Sequence, residues 1–171
     1  MSGPKILVAG IGNIFLGDDA FGVEVVQRMA ARQWPENVTV RDFGIRGFDL
    51  AYALNEPWDA VILVDALSRG EKPGTVFVLE PDAADWEGGI SECGVQPHGI
   101  DPLQAMRLAK SLGNVPERVL VVGCEPADLG GDEGNIGLSE EVNAAVGGAI
   151  VEIERILIEA APAVRSLGSR T

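Results

Sequence analysis

Residues 6–29, Ile6-Leu-Val-Ala-Gly10-Ile-Gly-Asn-Ile-Phe-Leu-Gly-Asp18-Asp-Ala-Phe21-Gly-Val-Glu-Val25-Val26-Gln-Arg-Met29, decide the fold. The run from Ile6 to Gly10 is apolar throughout, as in a parallel strand buried on both faces, and it empties into a glycine-containing loop. Phe21, Val25, Val26 and Met29 then recur at helical spacing, with Asp18 as the expected N-cap and Pro35-Glu36-Asn37 beyond the helix end. A buried strand that feeds an amphipathic helix is the opening of a βα unit.

The rest of the chain repeats that unit. Val38–Asp42 reads as a second strand, Gly44–Gly47 as a turn, Phe48–Leu54 as a short helix and Ala60–Asp65 as a third, buried strand. Pro73-Gly74 introduces a fourth strand, Thr75–Leu79, about nine residues after the third. A helical crossover needs a dozen or more, so this strand is expected to run antiparallel to the third. Asp101-Pro102 begins a helix with Leu103, Met106 and Ala109 on its buried face and Gly113 at its end; Arg118–Gly123 is the fifth strand. Ser139 with Glu140 and Glu141 starts a last helix with Val142, Val146, Ile150, Ile153 and Leu157 as its buried stripe, and the tail from Pro162 is expected to fray. The fold class is therefore α/β: one domain, a three-layer α/β/α sandwich on a mostly parallel sheet.

Composition limits the function. The chain has 171 residues, near the size of one domain, and its 46% hydrophobic and 23% charged content is that of a globular protein. Thirteen Lys and Arg against twenty-six Asp and Glu leave a net charge of −13, which repels nucleic acid and anionic lipid. Two cysteines, Cys93 and Cys124, build no disulfide framework, and neither a signal peptide nor a membrane-spanning run is evident. The expectation is a cytoplasmic monomer with no nucleic-acid or membrane partner and no organic cofactor.

In this architecture ligands sit outside the carboxyl ends of the strands, which directs attention to the loops after the first, third and fifth. Gly10-Ile-Gly12 begins a dinucleotide fingerprint, but the third glycine position is Phe15. The glycines are then explained by a tight strand-to-loop turn, with Asp42 left as a ribose ligand only if the protein binds nucleotides. Asp18 is accounted for as a helix cap, which leaves Asp19 over. Asp65 ends an otherwise apolar strand, and its carboxylate needs a partner, a cation or a capping role. His98, the only histidine, follows the long segment Glu80–Ile100, which holds five acids and no Lys or Arg. That segment either orders when a cation neutralises it, bringing His98 to the site, or is a solvated loop anchored by Trp86 with His98 already fixed. Two carboxylates and an imidazole suit a divalent metal such as nickel or zinc. Cys93 near His98 permits a Cys-His dyad on paper, with an incidental thiol as the alternative.

These residues resemble the hydrogenase maturation proteases, the endopeptidases that process the large subunit of nickel-iron hydrogenases. The resemblance spans roughly residues 5–160 and rests on Gly10-Ile-Gly-Asn-Ile-Phe-Leu-Gly-Asp-Asp-Ala-Phe-Gly22, Leu63-Val-Asp-Ala66, Gln96-Pro-His-Gly99, and Glu125-Pro126 leading to Gly137-Leu-Ser139. It implies a five-stranded mixed sheet with one antiparallel strand, and Asp19, Asp65 and His98 as both metal ligands and catalytic residues. The implied substrate is a large-subunit precursor already carrying nickel, from which a C-terminal extension is removed; the metal is the substrate's. Two departures stand out. The first-motif acid is Asp19 where many members have glutamate, and Asp42-Phe-Gly-Ile-Arg-Gly47 replaces the Asp-Gly-Gly-Thr-x-Gly of many members, so that Ile45 stands at the threonine position. Gly44, Arg46 and Gly47 of that turn are expected to meet the substrate's C-terminal region, with a solvated turn as the alternative for Arg46. Peptidyl-tRNA hydrolases share the Gly-x-Gly-Asn opening, but Ile14-Phe15 replace their Pro-Gly and no histidine follows at the required distance. A nucleotide-binding protein and a nickel-checking adaptor that does not cut are the other readings.

Overall fold

In the computed structural model, residues 3–82, 84 and 101–160 are described. The strands are β1 (Ile6–Ile11), β2 (Val38–Gly44), β3 (Ala60–Ala66), β4 (Val76–Leu79) and β5 (Arg118–Cys124); the helices are α1 (Phe21–Ala30), α2 (Gly47–Leu54), α3 (Pro102–Leu112) and α4 (Glu140–Glu159). They form one sheet in the order β2-β1-β3-β5-β4, parallel except for β4.

β1 and β3 are central and buried along nearly their whole length, which is why both read as unbroken apolar runs. Alternate residues serve opposite faces. Ile6 and Val8 pack with Phe21, Val25, Met29, Val146, Ile150 and Ile153 under α1 and α4, whereas Leu7 and Ala9 pack with Leu50, Leu54, Met106 and Ala109 under α2 and α3. Each helix thus covers the sheet with the apolar stripe seen in its sequence, and the result is the expected three-layer sandwich with two cores.

Several expectations need adjustment. β4 does run opposite to β3, as its short connection demands, but it pairs with β5 at the sheet edge, Val76 opposite Cys124 and Leu79 opposite Val121. The chain skips one position, which β5 later fills between β3 and β4. In α4 the buried residue of the last turn is Ile156, while Leu157 only flanks the core. A straight helix advances 3.6 residues per turn, so a stripe continued in sevens drifts off the buried line. The caps at Asp101 and Ser139 form as expected, by side-chain bonds accepted from the Gln104 and Val142 N–H groups. The tail from Pro162, Cys93, Trp86 and His98 lie outside the described residues. Among the described residues no helix is long and apolar enough to cross a membrane.

Candidate active site

Because β1 leads to β2 on one side while β3 lies on the other, the strand order reverses between β1 and β3, and a crevice opens outside their carboxyl ends. Asp19 and Asp65 sit at that crevice. Asp65 is the penultimate residue of β3 and is buried, opposite Gly123 of β5. Asp19 lies in a single 3-10 turn, Gly17–Ala20, between β1 and α1, and its Oδ2 accepts a 2.8 Å hydrogen bond from the Asn13 N–H.

Two glycines let that turn seat directly on the strand ends. A Cβ on Gly12 would stand 1.9 Å from the Asp19 carbonyl oxygen, and one on Gly22 would stand 2.0 Å from the carbonyl oxygen of Val64, the residue before Asp65. Either would push the turn off the sheet. The glycines of the first motif thus serve close packing of the acid-bearing turn as well as the strand-to-loop reversal.

Burial pushes the Asp65 carboxyl well above the ordinary carboxylate range, and the negative charges of Asp19 and, more weakly, Asp101 push it further; a hydrogen bond from the Ala66 N–H partly offsets them. A capping role for Asp65 is overturned, since it lies within the strand. Two acids that act on each other by charge raise the cost of ionising the buried one, and a cation meeting both lowers it. Carboxylate oxygens are donors of the kind a divalent metal takes. Among the described residues no third His, Cys, Asp or Glu completes a metal-holding cluster. His98, the expected third ligand, is outside them.

Asp18 is the main correction at the site. The N-cap position of α1 is Ala20, and no side chain caps the helix. The Asp18 carboxylate, fully buried, turns instead to the loop after β5: Oδ1 accepts from the Ser139 N–H at 2.7 Å, and Oδ2 accepts from the N–H groups of Ala127 (2.8 Å) and Asp128 (2.9 Å) and from the Ser139 hydroxyl (2.9 Å). Burial alone would raise this carboxyl, but the bonds from Ser139, Asp128 and Ala127 outweigh it and hold the group below its usual range. Of the adjacent aspartates, Asp18 is a structural clamp, while Asp19 acts on Asp65 by its charge and lines a groove with Leu16, Leu129, Gly131 and Asp132. Nothing local in the sequence distinguishes a cap from a clamp reaching 121 residues along the chain. Asp101 and Glu125 are also more than local. Asp101 adds its charge near Asp65, and buried Glu125 accepts from the Arg69 N–H at 2.7 Å, fixing the β3–β4 connection.

The turn after β2 stands beside the first loop. The Gly12 N–H donates to the Gly44 carbonyl at 3.0 Å, and Asp42 is used locally, accepting from the Gly44 N–H at 2.9 Å and from Gln27 at 3.3 Å. Arg46 braces the same turn, donating to the carbonyls of Phe43 (3.2 Å) and Asp42 (2.5 Å), and Gly47 opens α2. Between the two loops runs a groove of about 360 Å³, lined by Gly12–Phe15 and Asp42–Arg46 with Val23 and Gln27. Gly44 and Arg46 line it; Gly47 does not. Cys124 is a free thiol at the end of β5, buried and pushed up to about 11, chiefly by burial and then by the charges of Asp18 and Glu125. Both effects disfavour the thiolate that a nucleophilic cysteine needs.

Sheet and site define a class: a three-layer α/β protein with an acidic centre at the topological switch point. Residues 23–156 match the hydrogenase maturation protease family model. The chain is 34% identical over 155 residues to the hydrogenase expression/formation protein HupD of Rhizobium leguminosarum bv. viciae, covering 90% of this chain and 74% of that protein. Its structure is similar to the hydrogenase maturating endopeptidase HybD from Escherichia coli, with a TM-score of 0.73 and 28% identity over 91% of this chain and 93% of that one. It is also similar to a hydrogenase 2 maturation peptidase from a Thaumarchaeota archaeon, with a TM-score of 0.68 and 31% identity over 90% and 97% of the respective chains. The chain belongs to the hydrogenase maturation proteases, and the peptidyl-tRNA hydrolase and dinucleotide readings fall away.

Proposed function

We propose that this chain is the endopeptidase that removes the C-terminal extension from a nickel-loaded large-subunit precursor of a nickel-iron hydrogenase, and that nickel bound in the precursor is required for the cut. The observation that carries this reading is the pairing of Asp65, buried and charge-opposed, with Asp19 at the switch point of a chain in this family. The crevice is prepared for a cation that the substrate brings.

In this reading Asp19, Asp65 and His98 meet the precursor's nickel, which polarises the scissile carbonyl or a bound water as charge develops on the oxygen. A cation beside Asp65 favours its carboxylate form and so opposes the burial that raises it. A second arrangement has His98 and one aspartate as the ligands, with the other aspartate as the general base that takes the proton of the attacking water. Gly44 and Arg46 line the groove that holds the segment beyond the scissile bond, Arg46 also bracing the turn, and Gly47 supports that turn from the start of α2. The protein acts as a cytoplasmic monomer on a folded precursor.

The test is incubation of the purified protein with candidate precursors, with and without nickel, read by intact mass. Loss of the extension's mass only from the nickel-loaded form is expected. Wild-type processing rates for Asp19→Asn, Asp65→Asn and His98→Ala would refute the site, and efficient cleavage of nickel-free precursor would refute the nickel requirement.

A further inference from the structure

Four large apolar side chains are exposed on the two loops that flank Asp19: Ile14 and Phe15 after β1, and Leu129 and Ile136 after β5, with Phe15 60% and Ile136 78% accessible. The loops are locked to each other. The Gly17 N–H donates to the Asn135 carbonyl at 2.7 Å, the Asn135 N–H donates to the Phe15 carbonyl at 2.9 Å, Leu16 and Asn135 form a parallel bridge, and the Asp18 clamp lies beneath. The apolar side chains are thus held out on a braced platform, where they cannot retreat into a core. A shallow groove of about 290 Å³ in this platform is lined by Leu16, Leu129, Gly131, Asp132 and Asp19 itself.

The charge of the platform has one sign. Asp19, Asp128, Asp132 and Glu133 lie on these loops, and neither 12–20 nor 126–139 contains a Lys or Arg. An apolar centre rimmed by charge is the anatomy of a protein interface, and an acidic rim selects a basic counterpart. We infer that this two-loop platform is the docking surface for the folded body of the precursor, and that it receives an apolar patch flanked by lysines or arginines. The inference rests on the proposed function for the partner's identity. It adds a recognition surface that continues from the groove beside the β2–α2 turn through Ile14 and Phe15, which line both, out to Leu129 and Ile136 on the loop after β5.

Binding and cleavage are measured separately to test this. Phe15→Asp and Ile136→Asp keep the clamp and both aspartates of the crevice; Val151→Asp, on the exposed face of α4, is the control. Each is made in the full chain and checked for an unchanged melting temperature. Affinity for nickel-free precursor, which the proposed function leaves uncut, is read by biolayer interferometry with the wild-type chain and with each variant, and processing of nickel-loaded precursor is read by intact mass. Expected results are at least a tenfold loss of affinity and a matching rise in KM with little change in kcat for the platform variants, no change for Val151→Asp, and weaker binding by Asp132→Lys and at higher salt. Unchanged affinity in both platform variants overturns the inference. So does absence of any wild-type binding, or a wild-type dimer in sedimentation velocity that Phe15→Asp dissociates, which would assign the platform to a second copy. Binding that is intact and platform-dependent without any cleavage would refute the proposed function and leave the docking surface standing.

Discussion

Replacing Asp18 by asparagine isolates the clamp from the chemistry. The side chain keeps its volume, but an amide offers one acceptor oxygen where the carboxylate offers two, and all four bonds now made to Asp18 come from donors. In the less damaging orientation the amide NH2 opposes the Ser139 N–H and leaves it unpaired, which costs about 1.5 kcal/mol, and the remaining bonds lose charge assistance worth about 1 kcal/mol together. The sum, about 2.5 kcal/mol, lowers the melting temperature by roughly 5–10 °C for a domain of this size. Urea unfolding followed by circular dichroism measures it as a lower midpoint at constant slope. The pH dependence supplies a second check. The folded-state carboxyl is held below its unfolded value of about 3.9, so its stabilisation is present above that value and lost as pH falls through the folded one. Asparagine does not titrate, so the gap between wild type and variant narrows below about pH 4. A variant within 0.5 kcal/mol of wild type at pH 7, against the roughly 0.5 kcal/mol of an ordinary surface change, would refute the clamp.

Asp65 behaves in the opposite sense. Its raised carboxyl favours the fold below the unfolded value and loses that contribution as pH rises through the folded one, at about 1.4 kcal/mol per pK unit, so Asp65→Asn is expected to melt higher than wild type at pH 8, by more than at pH 4, while losing processing. A variant that melts lower at pH 8 would contradict the burial argument. Gly22→Ala places a Cβ against the Val64 carbonyl and is expected to destabilise by about 1–3 kcal/mol and to reduce processing by displacing Asp19; thermal melts and intact-mass assays report both. Cys124 is expected to stay unalkylated by iodoacetamide at pH 8 in the folded protein and to react fully in urea, as read by peptide mass mapping.

The sheet and its helices were legible in the sequence because each element announces itself locally. Central parallel strands such as Ile6–Ile11 and Ala60–Ala66 must be apolar on both faces, the helices carry apolar stripes, and the Asp101 and Ser139 caps depend on neighbours three residues away. Local spacing also gave the direction of β4, since its connection is too short for a crossover. Asp65 stands out in the sequence as a charge at the end of an apolar strand, and Asp19 as the neighbour of an aspartate read as a cap. What Asp18 does is set elsewhere. Asp18 serves Ser139, 121 residues away, and the geometry exists only once α4 has packed beside α1. The edge position of β4, the purpose of Gly12 and Gly22 as contact points between the acid-bearing turn and the strands, and the charge of Asp19 on Asp65 are likewise set by which surfaces meet. The sequence alone settles which segments form and where an acid interrupts an apolar run or stands doubled, because those are matters of spacing along one chain; only the tertiary structure settles what each acid faces, because burial and Coulomb forces depend on distance in space.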